Sequence, residues 1–130
     1  IIEYVNIQSR GNSVKFGELT VGRRAIAAVT NSTRAVMCSG DTPATNTMDY
    51  ITMASEGNAV DFGDITRQPN GYGAGCSTAT RGVIVGCKAP NGTDIDYITI
   101  ATTGSATDFG DTSYSNYVAG ACSDSHGGLG

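Results

Sequence analysis

Residues 95–113 read IDYITIATTGSATDFGDTS, and this stretch decides the fold. Its first six residues are β-branched or aromatic apart from Asp96, and apolar side chains fall on both alternating faces. A strand of that pattern is covered on two sides. Gly104-Ser105 follows, then a more polar run carrying a single Phe, Phe109. Gly followed by Ser or Asn between two strands predicts a two-residue type II′ hairpin. The second strand of the pair is predicted to be an outer one, solvated on one side. The same wording occurs twice more: MDYITMASEGNAVDFGDIT at 48–66 and IEYVNIQSRGNSVKFGELT at 2–20. Tyr4, Tyr50 and Tyr97 share one column, and Phe16, Phe62 and Phe109 another. Self-similarity at such a period, about 47 residues, is the signature of a repeat architecture.

A second block recurs between these. It reads AIAAVTNSTRAVMCSG from Ala25, YGAGCSTATRGVIVGC from Tyr72, and, shortened, VAGACSDSHGGLG from Val118. Its small residues suit places where backbones crowd together. Each unit therefore contains four short strands, graded from small and tightly packed to outer and polar. The fold class is all-β, in blades of four antiparallel strands. The whole chain, 1–130, reads as one repeat domain with units at about 25–66, 72–113 and 1–24 plus 114–130. In the third unit the C-terminal strands are expected to pair with the N-terminal ones. Three blades are too few for an ordinary ring, so association of chains is expected. A start at Ile1 without Met reads as a processed end or a piece of something longer.

Composition agrees with strands and turns: 18 Gly, no Trp, and charged residues at only 15%. A formal net charge of −4 argues against nucleic acid, which needs a basic face. No apolar run reaches the roughly 18 residues that a membrane-spanning helix requires. No cofactor is expected.

The unit resembles a kelch-like β-propeller repeat: a hydrophobic strand ending in Gly, a Tyr strand, then an aromatic outer strand. The wording DYITIATTG-x-ATDFGD with TRGV-x-x-G is similar to repeat proteins encoded by tailed bacteriophages, and CSDSHGGLG resembles their C-termini. The resemblance covers essentially the whole chain. It departs from kelch units where Ser39-Gly40 and Gly86-Cys87 stand for a double Gly, and where Phe replaces an outer Trp. It implies a non-catalytic virion component, a tail-fibre or decoration propeller, located on the virion or extracellularly. A host-surface glycan is the natural ligand class, with Tyr72, Tyr114 and Tyr117 standing in for absent Trp, and the loops 41–47 and 88–94 as contact surface. Rival expectations are a self-assembling extracellular filament and a secreted lectin-like propeller.

Other motifs have plain explanations. Asp61-Phe62-Gly63-Asp64 spells a kinase magnesium motif, but it recurs at 108–111 and no catalytic loop accompanies it. A Phe plugging between blades explains it, and Lys15 in the first copy argues against a calcium site. Asp49 and Asp96, matched by Glu3, are expected to pair between blades with Arg34 or Arg81. Asp124-Ser125-His126 is adjacent in sequence and cannot form a relay. Cys38, Cys76, Cys87 and Cys122 do not share one column; Cys76 should face Val83, so bonds between blades or chains stay open. Asn31 and Asn91 head N-glycosylation acceptor patterns on predicted turns.

Overall fold

A computed structural model describes residues 1–67, 73–85, 92–115 and 120–123. These residues form ten strands and no helix. A hairpin of β1 (Ile2–Tyr4) and β2 (Val14–Gly17) comes first. Next is a four-stranded sheet of β3 (Ala27–Thr30), β4 (Arg34–Gly40), β5 (Thr45–Thr52) and β6 (Val60–Asp64). A second four-stranded sheet holds β7 (Ala74–Ser77), β8 (Arg81–Val85), β9 (Asp94–Thr99) and β10 (Thr107–Asp111). In each sheet spatial order follows chain order, and every pairing is antiparallel. The reading as all-β, with four-stranded antiparallel units, is borne out. Closure into a propeller is not part of what the described residues form.

The two large sheets pack face to face. Alternation along each strand decides which side chains meet. Gly75 and Gly82 turn toward the first sheet, where a Cβ on either would strike Val29 or the Ala28 backbone. Ala27, Val29, Val36, Cys38, Met48, Phe62, Ile84, Ile98 and Ile100 make one buried cluster. The small-residue strands sit where backbones come closest, as expected. Cys76 lies opposite Val83, also as expected, and Val83 opposite Tyr97, so these three share the outward face of the second sheet. Cys122 and Ser123 lie against the inner part of that face, where the Ser123 hydroxyl donates to the Ser77 carbonyl. The β1–β2 hairpin instead covers Ala35 and Ile51 on the first sheet. The two terminal pieces touch different faces of different sheets, and no ladder among the described residues joins them.

The hairpin turns differ from expectation. Residues 53–59 separate β5 from β6, and 100–106 separate β9 from β10, so these are broad loops and not two-residue turns. The reason lies in the neighbouring sheet. Gly57 and Ala59 donate their N–H groups to the Phe16 and Glu18 carbonyls at 3.0 and 2.8 Å. Gly104 and Ala106 donate to Phe62 and Asp64 at 2.7 and 2.8 Å. A tight turn would turn those donors back into its own hairpin.

Candidate functional site

The recurring feature with most chemistry is the joint between one sheet and the next. It starts at the Phe column. Met48 pairs with Gly63 and Asp49 with Asp61, so Phe62 has no partner of its own. Phe16 and Phe109 are skipped in the same way. Each is a β-bulge, which leaves one residue unpaired and re-aims it. The carbonyl freed at Phe16 or Phe62 accepts from the following sheet's loop, while the Phe62 ring, 2% exposed, lies beneath that loop. Each Phe also meets its Tyr edge to face, at 6.1, 5.9 and 6.0 Å for Tyr4–Phe16, Tyr50–Phe62 and Tyr97–Phe109. Such pairs contribute about 0.5–1.5 kcal/mol beyond area burial.

Arg34 fastens the joint from its inner side. Its guanidinium stacks over Tyr50 at 4.5 Å and donates to the Ile100 and Ala101 carbonyls of the next sheet at 3.2 and 3.0 Å. Arg81 stacks over Tyr97 in the same way, at 4.7 Å. The expectation that these arginines pair with Asp49 or Asp96 is therefore corrected: each stacks on a Tyr ring, and Arg34 also holds two backbone carbonyls.

Asp49 pairs with Arg23 instead, at 2.6 Å, and both side chains are wholly buried. Thr20 donates its hydroxyl to the other carboxylate oxygen at 2.5 Å. The rest of the Arg23 guanidinium is spent on the carbonyls of Ser39, Val21, Met37 and Thr47. Gly40 makes room for it, since a Cβ there would strike the Arg23 side chain. Asp96 takes the equivalent place in the second sheet and accepts from the Thr66 N–H and hydroxyl at 3.0 and 2.7 Å. In both sheets a buried acid anchors the segment that arrives from the previous one.

Burial pushes the Asp96 carboxyl above the ordinary 3.8; nearby Asp94 and Asp108 add to this, and the Thr66 bonds oppose it. A carboxyl shifted upward holds its proton more readily folded than unfolded. Its contribution is then full below 3.8 and is lost as pH rises through the folded value. Asp96→Asn should accordingly gain on wild type in thermal midpoint between about pH 4 and about pH 7. A difference that stays flat or narrows contradicts this.

Ser39 is a site of strain that the sequence only hints at, through Gly86 in its column. Its φ is 59°, it is wholly buried, and its hydroxyl has no hydrogen-bond partner among the described residues. Ser39→Gly should stabilise the chain by about 1 kcal/mol, strain and an orphaned hydroxyl outweighing the entropy that Gly adds. Denaturant unfolding measures it, and a loss of stability contradicts it.

The remaining candidates are placed as follows. Tyr114 is 80% exposed, whereas Tyr72 and Tyr117 lie outside the described residues. In the 41–47 loop Asp41 is tied to Arg24 by two backbone bonds and an exposed ion pair at 3.4 Å. Cys38 is buried, Cys76 half-buried and Cys122 exposed; Cys87 falls outside the described residues, as do His126 and Asn91. Asn31 is committed to its own turn, its Oδ1 accepting from the Thr33 and Arg34 N–H groups. Among the described residues no three acidic, His or Cys side chains gather to hold a metal ion. Asp108 accepts the Gly110 N–H, and Asp111 the Thr93 hydroxyl.

The sheets and their joints define an all-β protein in which successive antiparallel units are fastened by one repeated set of contacts. No protein-family model and no curated protein sequence matches the chain.

Proposed function

We propose that the chain is a non-catalytic structural protein that works by self-association, as a kelch-like propeller or an open stack of blades. In the setting its repeat wording implies, it is a tail-fibre or decoration component of a tailed phage virion, with a bare extracellular filament as the second reading. The observation that carries the proposal is the serial joint. The same carbonyl-to-loop contacts link hairpin to first sheet and first sheet to second, so each unit is completed by its neighbour. Repeat proteins built this way gain stability with each interface added. A glycan contact has thinner support, resting on Tyr114 and the polar loops.

Electron microscopy of the purified chain tests the assembly reading. Rings or fibres of uniform width are expected. Dispersed particles of the 13.3 kDa chain at every concentration contradict it.

A further inference from the structure

Among the described residues, the joint that fastens the sheets inside the chain is left open on the outward face of the second sheet. Gly110 corresponds to Gly17 and Gly63. A Cβ on Gly17 would run into the Gly57 carbonyl, and one on Gly63 would lie 2.6 Å from the Gly104 carbonyl, whereas at Gly110 no described residue lies within 4 Å. Phe62 is 2% exposed beneath its neighbour's loop, whereas Phe109 is 55% exposed. Arg34 has its two carbonyls across the joint, whereas Arg81, stacked identically on its Tyr, has no such acceptor among the described residues. The complementary half is open on the β1–β2 hairpin. Ile7 occupies the column of Met53 and Ile100 and is 97% exposed, against 41% and 0% for those two. Gly11 and Ser13 stand in the columns of Gly57 and Ala59, whose N–H groups make the joint.

We propose that a second copy of this chain docks head to tail here, its hairpin covering the Tyr97–Phe109–Gly110 face. Every contact follows from the two joints already formed. Gly11 N–H of the incoming copy bonds the Phe109 carbonyl, and Ser13 N–H the Asp111 carbonyl. Arg81 donates to the Ile7 and Gln8 carbonyls, and Ser113 to Glu3, as Arg34 and Thr66 do within the chain. Ile7 takes the buried place of Ile100. The interface is heterologous, so it generates rings if the rotation closes and filaments if it does not. This rests on the self-association reading and adds which faces meet.

Two variants block one face each at exposed positions. Ile7→Asp puts a charge where the joint buries an apolar side chain, and Arg81→Glu faces backbone carbonyls with a carboxylate. Multi-angle light scattering of the full chain, with circular dichroism to verify the fold, should show oligomers for wild type and monomers for each variant alone. Their equimolar mixture should give a one-to-one dimer, because one intact joint survives between them. Arg81→Lys should retain assembly, its dissociation constant raised by about tenfold or less. A monomeric wild type overturns both the joint and the self-association reading. Wild-type oligomers that persist in either variant, or a mixture that stays monomeric, overturn the joint alone.

Discussion

Arg23→Ala is expected to lower the unfolding free energy by about 3–5 kcal/mol, the usual result of removing one partner from a buried ion pair. Arg23 and Asp49 have no exposed side-chain surface, and their bond at 2.6 Å is the centre of a larger network. Without the guanidinium, Asp49 keeps only the Thr20 hydroxyl, and the carbonyls of Ser39, Met37 and Thr47 lose a donor together. The connector from hairpin to sheet would then be held chiefly by the Arg24–Asp41 backbone bridge. Asp49→Ala alone should cost a comparable amount, and the double variant Arg23→Ala/Asp49→Ala markedly less than the sum. Urea unfolding of the four proteins reads the cycle directly. Additive losses would mean that the pair is not a unit.

Gly63→Val should be of similar size, about 3 kcal/mol or more, from backbone strain plus overpacking. Gly63 has φ 137°, a region that L side chains rarely enter, and its missing Cβ leaves the space that the Gly104 backbone fills. The added side chain must displace Gly104 from the Phe62 carbonyl and so open the joint between the two large sheets. Gly110→Val serves as the control. Its φ of 140° brings the same strain, but no described residue lies in its path. The stability gap between the two variants, measured on monomeric protein, isolates the steric part of the joint. Equal losses would contradict the packing account.

The strands were legible because repetition exposes them. Three aligned Tyr and three aligned Phe fix which segments pair, and Cys76 falls opposite Val83 as the hairpin register requires. What does not recur was hidden. Arg23 has Asn70 in its column, so the recurring arginines are Arg34 and Arg81, and the residue that neutralises Asp49 does not repeat. The loops depart from their local sequence signal for a different reason. Gly57-Asn58 has the local chemistry of a tight turn, but the Phe16 and Glu18 carbonyls next door compete for its donors and win. A bulge one residue before Gly63 or Gly110 could have been suspected, since Gly beside an aromatic in a polar strand marks such sites. The Thr20, Thr66 and Ser113 column also stood in view as the partner of Glu3, Asp49 and Asp96.

Residue-resolved amide hydrogen exchange is the most direct test of a chain assembled joint by joint. The amides of Gly57, Ala59, Gly104 and Ala106 should exchange slowly, although they sit in loops. Those of Gly11 and Ser13 should exchange freely in dilute solution and become protected as concentration rises. Rapid exchange at Gly57 and Gly104, matching that of Gly11 under all conditions, would contradict the joint and everything built upon it.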